Sequence, residues 1–274
     1  MSFVEVKGAR LPRIGFGTSG LAGAACTRLV RFALDIGYRH IDTAQAYGNE
    51  DAVGRALAET AVARADIFVT TKIWTSAFRD GALQRSVDES LARLRTAYID
   101  VLLLHWPNDA VPLAETLRAL AAVRASGKAR HIGVSNFTIR HLAVAIDGHG
   151  ADLVCNQVEC HALMRQEKLR AAMRRHGLAL VAYSPLGRGQ LTGERTLGAI
   201  GGRYGKSASQ VALRWLVEQD GVVAIPKAAK EAHARANLDI FDFALDDDDR
   251  RAIAALPGNR RVIDPGWAPD WDRD

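Results

Sequence analysis

Short apolar runs alternate along this chain with longer stretches in which apolar residues recur every three or four positions. The runs predict strands near 13–17, 39–42, 67–72, 99–105, 130–134, 153–158, 179–183 and 222–226. Several of them, such as Val101-Leu102-Leu103-Leu104 and Leu178-Ala179-Leu180-Val181, show no alternation. That is expected of parallel strands buried on both faces. Between them, helical spacing predicts helices near 25–36, 49–62, 80–95, 113–126, 138–147, 166–176, 207–219 and 230–238. In the fourth, Leu113, Leu117, Leu120 and Val123 mark the buried stripe. Strand–helix pairs at roughly thirty-residue intervals require parallel strands joined by crossovers. The eight-fold count favours an α/β fold of the (β/α)8 TIM-barrel type, with its active site at the C-terminal face, over an open doubly wound sheet. No Pro/Gly/Ser-rich linker divides the chain and no repeat is evident, so one domain over residues 1–274 is expected.

Composition changes this picture little. With 48% hydrophobic and 24% charged residues the chain is ordinary globular protein, not low-complexity or disordered. The net charge of +5 fits an anionic substrate or cofactor. Lysines and arginines are nevertheless scattered among acids without a basic run, so no nucleic-acid partner is expected. Cys26, Cys155 and Cys160 are too few for a disulfide framework and suit a reducing compartment. Cys155, Cys160 and His161 lack paired zinc spacing, and no metal is expected. No leader-like or membrane-length apolar run is present, so a cytoplasmic location with no membrane contact is expected. The run Asp246 to Asp249 reads as the first turn of a helix, where carboxylates meet exposed N–H groups.

One motif points toward a different fold. Gly15-Phe16-Gly17-Thr18-Ser19-Gly20 fits G-x-G-x-x-G, with Asp35 and Asp42 near the distance of a ribose-binding acid. The pattern is short and common. Its plainer reading is a tight strand-to-helix turn in which Gly17 permits close backbone approach.

Candidate chemistry gathers at predicted strand ends. Asp42 follows Arg39-His40-Ile41, Tyr47 lies five residues on, Lys72 ends Ile67-Phe68-Val69-Thr70-Thr71-Lys72, and His105 ends a leucine run. In a parallel barrel all these ends meet on one rim. A lysine closing an apolar strand needs a partner, and Asp42 on the adjacent strand supplies one. Singly, each has a structural reading: an ion pair, a capping histidine, a loop tyrosine. Their joint occurrence at corresponding rim positions points to a catalytic group.

At this point the chain resembles the aldo-keto reductase superfamily. The resemblance is carried by Gly37-Tyr38-Arg39-His40-Ile41-Asp42-Thr43-Ala44, Val69-Thr70-Thr71-Lys72-Ile73-Trp74 and Leu103-Leu104-His105-Trp106-Pro107. It continues through Gly133-Val134-Ser135-Asn136-Phe137, Asn156-Gln157-Val158-Glu159-Cys160-His161, Ala182-Tyr183-Ser184-Pro185-Leu186 and Ile225-Pro226-Lys227. It runs from about residue 10 to the C-terminal tail and is nearest to the bacterial branch with 2,5-diketo-gluconate reductases. It implies the same barrel, a monomer, and NADPH-dependent reduction of aldehyde or ketone carbonyls.

The resemblance makes Asp42, Tyr47, Lys72 and His105 the catalytic tetrad. Tyr47 is then the proton donor. Lys72 would lower its pKa and stabilise the phenolate, Asp42 would orient the lysine, and His105 would bond the carbonyl oxygen. Ser135, Asn136 and Gln157 match residues that grip the nicotinamide carboxamide, and Tyr183 the ring that stacks on nicotinamide. Ser184, Leu186 and Gly187 line the pyrophosphate path, Lys227 faces the adenosine 2′-phosphate, and Asn237 lies on the adenine side. Gly17, Thr18, Asp42, Lys230 and His233 complete the expected cofactor contacts. Trp74, Trp106 and Trp267 join Tyr47 and His105 around a small-molecule carbonyl substrate, the tail through Trp271 closing over it. The chain departs from the family pattern in two places. Ser19 replaces a frequent tryptophan, and Ala228, Ala229 and His233 replace residues that read the 2′-phosphate, leaving Lys230 and Arg235 to supply charge. Two other readings stay open: a nicotinamide-nucleotide-binding regulatory subunit with little turnover, and a phosphate-binding isomerase on the same barrel. Cofactor oxidation with a panel of carbonyls separates them from the reductase.

Overall fold

The computed structural model describes residues 2–272. The chain opens on an antiparallel hairpin of β1 (Phe3–Val6) and β2 (Ala9–Pro12). Its turn residues Lys7 and Gly8 have φ of 44° and 80°, the left-handed pair that matches strand twist in two-residue hairpins. There follow β3 (Phe16–Gly17), α1 (Gly23–Asp35), β4 (His40–Asp42), α2 (Glu50–Glu59), β5 (Phe68–Ile73), α3 (Ala82–Leu94), β6 (Ile99–Leu104) and α4 (Leu113–Ala125). The second half holds β7 (Ala129–Ser135), α5 (Ile139–Ala143), β8 (Cys155–Glu159), α6 (Glu167–Arg175), β9 (Ala179–Tyr183), α7 (Arg195–Tyr204), α8 (Ala208–Val217), β10 (Val222–Ala224), α9 (Glu231–Leu238) and α10 (Asp247–Ala254).

Strands β3 to β10 are hydrogen-bonded in chain order, all parallel. The sheet then closes on itself. Gly15 N donates to Ala224 O at 2.8 Å, Ala224 N to Arg13 O at 2.9 Å and Gly17 N to Pro226 O at 3.1 Å. A Cβ on Gly17 would stand 2.8 Å from Ile225 O, so glycine is required at this seam. The (β/α)8 barrel read from the sequence is thus the fold, and the Gly15-to-Gly20 motif is the β3–α1 turn.

Strand periodicity sorts side chains into two cores. On β6, Leu102 and Leu104 pack outward with the helices, whereas Val101 and Leu103 point into the barrel with Cys155, Ala179, Val181, Val223 and Ile225. Val4, Ala9 and Leu11 of the hairpin join this inner core and plug one end. Gly133 makes room in it, since a Cβ there would lie 2.8 Å from both Leu103 Cδ2 and Cys155 Sγ.

Four elements lie outside the predicted strand and helix ranges. The hairpin strands are four residues each and show no long apolar run. Helix α7 carries Gly198, Gly201 and Gly202, which blur its helical pattern. Helix α10 was signalled only by its acidic first turn, where Asp246 accepts from Asp249 N at 2.7 Å. No helix among the described residues is long and apolar enough to cross a membrane.

Candidate active site

Inward positions near the strand C-termini line one rim: Asp42 on β4, Lys72 on β5, His105 just past β6, Ser135 on β7, Gln157 on β8 and Tyr183 on β9. The register Lys72↔Leu103 sets Lys72 level with the last inward leucine of β6, so His105 stands one step above it.

Lys72 and Asp42 are 1% and 2% exposed, and Lys72 Nζ lies 2.6 Å from Asp42 Oδ1. The ammonium also donates to Thr43 O at 2.8 Å and to the Tyr47 hydroxyl at 3.3 Å. Its three N–H bonds are therefore all used. Burial pulls Lys72 toward deprotonation, but Asp42 and Tyr47 outweigh it and raise its pKa. Tyr47 ends a 3-10 turn, Gln45–Tyr47. Burial raises its pKa above the ordinary tyrosine value, opposed by Lys72 and by a hydrogen bond with Ser19. The lysine thus moderates the shift rather than reversing it. His105 is pushed down to about 2 by burial and then by Lys72, so its imidazole is neutral at physiological pH. Its ring meets Tyr47 edge-on at 5.7 Å between centroids and Trp74 at 5.3 Å. The four tetrad residues named from sequence are thereby brought together.

Gln157 Nε2 donates to Asp42 Oδ2 at 2.7 Å. Facing a carboxylate, the amide must present nitrogen, and its Oε1 is left buried without a partner. Ser135 Oγ donates to Gln157 O at 2.8 Å. Asn136, at φ 63°, donates to His105 O at 3.0 Å and accepts from the Tyr183 hydroxyl at 2.8 Å. Thr18 is buried with its hydroxyl on Asp42 O at 2.9 Å. Ser184 and Gly187 take φ of 46° and 55° in the turn after β9, with Leu186 half-buried between them.

At the seam Gly17 pairs with Lys227, which lies in the strand extension and not on a helix. Lys230 is the N-cap of α9, His233 is on its first turn, and both are exposed, as is Lys227. Lys227 thus sits at a strand end, and Lys230 and His233 at a helix start. Asn237 is buried on α9. Arg235 lies over the Phe32 ring at 5.4 Å, turned toward α1 and away from this group.

A tryptophan cluster stands over the rim. Trp267 meets Trp106 at 4.8 Å and Trp74 at 5.9 Å, and Trp271 meets Trp106 at 5.9 Å. Trp106 is buried, whereas Trp267 is 59% exposed.

Sequence reasoning missed the network beneath this cluster. Gln45 accepts from Trp74 N at 3.0 Å and donates to Ser86 Oγ at 2.7 Å and Ser90 Oγ at 2.9 Å. Glu50, buried, accepts from Thr71 Oγ1 at 2.6 Å and Arg93 Nε at 2.8 Å. Gln45 and Glu50 flank Tyr47 in the sequence, and that proximity was the available signal.

Residues 13–257 match the family model described as the Aldo/keto reductase family. Methylglyoxal reductase DkgB of Escherichia coli O157:H7 is 38% identical over 266 residues, 96% of this chain and 99% of that one. An aldo-keto reductase of Mycobacterium ulcerans (strain Agy99) is 42% identical over 257 residues, 93% of this chain and 91% of that one. A crystal structure given the provisional designation 2,5-diketo-D-gluconic acid reductase B superposes with a TM-score of 0.96 at 45% identity, covering 100% of this chain and 98% of that one.

Proposed function

The chain belongs to the aldo/keto reductase family and is a carbonyl-reducing oxidoreductase; from that premise we propose that it uses NADPH and that Tyr47 is the proton donor. The observation that carries this reading is the reach of Lys72 Nζ to both Asp42 and the Tyr47 hydroxyl.

Reduction of a carbonyl needs a hydride on carbon and a proton on oxygen. NADPH, when bound, supplies the hydride. The Tyr47 hydroxyl gives its proton to the carbonyl oxygen, and the fixed cation of Lys72 stabilises the phenolate left behind. Asp42 keeps the lysine charged and in place. Neutral His105 offers one ring N–H to the same oxygen, and its Nδ1 is buried with no partner in the protein.

The residues present fit the cofactor. The unpartnered Gln157 Oε1 is an acceptor suited to a carboxamide NH2, with Ser135 and Asn136 beside it. The Tyr183 ring lies one inward step beyond Gln157, in register with Glu159, and suits stacking. Thr18 and Gly17 border the first strand end, and Ser184, Leu186 and Gly187 form the turn for the pyrophosphate. Lys227 and Lys230 offer positive charge and His233 a ring nitrogen to the 2′-phosphate, with Asn237 next to the adenine. Trp74, Trp106 and Trp267 form the apolar wall of the substrate site.

The substrate class is a small carbonyl compound. Because a close relative is a methylglyoxal reductase and a structural neighbour is designated a diketo-gluconate reductase, dicarbonyls are the first compounds to test. The deciding experiment follows NADPH and NADH oxidation by wild type and Tyr47→Phe with methylglyoxal. NADPH turnover that survives in Tyr47→Phe would overturn the assignment.

A further inference from the structure

The segment Asn156-Gln157-Val158-Glu159-Cys160-His161 gives the proposed site its Gln157, but leaves Glu159 and His161 without a task. Both side chains are fully buried. Strand periodicity puts Glu159 on the inward face of β8 with Gln157, one layer nearer the rim. Its carboxylate is taken up by the C-terminal tail. Val262 N donates to Oε1 at 2.7 Å and Ile263 N to Oε2 at 2.8 Å.

His161 orients this carboxylate. Leu163 N donates to His161 Nδ1 at 3.3 Å, which assigns the ring proton to Nε2, and Nε2 donates to Glu159 Oε1 at 3.0 Å. Just before this point Arg260 N donates to Leu163 O at 2.8 Å. The far end of the tail is fixed too, since Ile139 N at the start of α5 donates to Asp272 Oδ2 at 2.8 Å. Residues 264–271 are thus a strap held at both ends, and Trp271 Nε1 closes it by donating to Asp264 Oδ1 at 2.8 Å. The strap carries Trp267 onto Trp74 and Trp106.

We propose that Glu159 is a positioning residue for substrate selection: its buried carboxylate, oriented by His161, latches the tail so that Trp267 covers the catalytic rim. The proposal rests on the reading that the three tryptophans line the substrate site. A carboxylate suits the task because two successive backbone N–H groups converge on its two oxygens. An amide offers one oxygen, and its NH2 would confront the second N–H. A buried carboxylate that lost the tail would keep His161 alone on Oε1, so the closed arrangement is strongly favoured.

The test uses the full chain with NADPH. Glu159→Gln spoils the latch from the barrel side, and Val262→Pro removes one donor from the tail side while leaving the barrel sequence intact. Trypsin cleavage after Arg260, mapped by mass spectrometry, reads tail release in both variants, since the proline of Val262→Pro itself protects the bond after Arg261. KM and kcat are measured separately for an aromatic aldehyde and for methylglyoxal. Loss of charge-assisted bonds should raise the cleavage rate and the aromatic KM by about tenfold or more in both variants, with kcat and the methylglyoxal KM within about twofold. A merely structural role would lower the melting temperature without splitting KM from kcat. Unchanged cleavage and unchanged KM in Val262→Pro overturn the latch, even where Glu159→Gln does not fold. A freed tail with unchanged aromatic KM overturns the role in selection. Trp267→Ala then locates the failure: a raised aromatic KM preserves the tryptophan wall, and an unchanged one removes the wall as well.

Discussion

Gln157 Nε2 donates to Asp42 Oδ2 at 2.7 Å, joining β8 to β4 across 115 positions of sequence. With Lys72 on Oδ1, the aspartate is held from two sides, and it keeps the lysine where the tyrosine hydroxyl can feel it. The amide that completes this pair also offers its remaining oxygen toward a cofactor in the proposed site. Charge, proton donor and cofactor contact therefore share one connected set of hydrogen bonds.

Tyr47→Phe removes the proposed acid and the hydroxyl contact of Lys72. Turnover with a carbonyl substrate should fall by at least about a hundredfold, the lower end for general acid catalysis. NADPH affinity, read by tryptophan quenching, should stay within about threefold of wild type, because the phenyl ring keeps the packing on His105.

Lys72→Met should abolish turnover and also cost stability. Both members of the pair are buried, so removing the lysine leaves the Asp42 carboxyl without its cation and facing a methyl group. A loss on the order of 3–5 kcal/mol is expected from chemical denaturation. Adding Asp42→Asn to that variant should recover part of the loss, and strict additivity of the two substitutions would show that the pair is not coupled.

The pH dependence of reduction follows from two opposite shifts. His105 is held down to about 2, so it stays neutral through the mildly acidic range and should give no inflection near its ordinary value of about 6.5. Tyr47 is shifted upward, so its proton-bearing form persists to higher pH than a free tyrosine. The rate of the reductive step should hold through neutral pH and decline only above about 10. An inflection near 6.5 that vanished in His105→Asn would show that the imidazole titrates.

Lys227→Ala tests cofactor choice. Lys227, Lys230 and His233 are exposed, so solvent weakens each contact with a phosphate. A loss of roughly tenfold to a hundredfold in NADPH affinity with little change for NADH is expected from one or two charge-assisted bonds. Equal losses for both cofactors would place Lys227 elsewhere than on the 2′-phosphate.

The barrel was legible because its strands announce themselves. Ile99–Leu104 is a run that only a strand covered on both faces tolerates, and each such run ended on a residue later found on the rim. The gathering of Asp42, Lys72 and His105 at one rim was legible for the same reason, since each breaks an apolar strand at its end. Glu159 broke its strand likewise, yet the partners that tie it to the tail are backbone N–H groups of Val262 and Ile263, which leave no side-chain signature. Gln45 hid in the same way behind Trp74 N. Helix α7 was masked by glycines, and the hairpin strands were too short for periodicity to register.

The saturated ammonium of Lys72 limits what can replace it. Asp42, Thr43 and Tyr47 occupy its three donors, so it has no valence left for a substrate and acts as a fixed charge. An arginine would retain that charge but bring five N–H groups into a space with three acceptors. At least two would be stranded in a site that is 1% exposed. Charge conservation is therefore the wrong measure of similarity here, and Lys72→Arg should behave as a disruptive substitution.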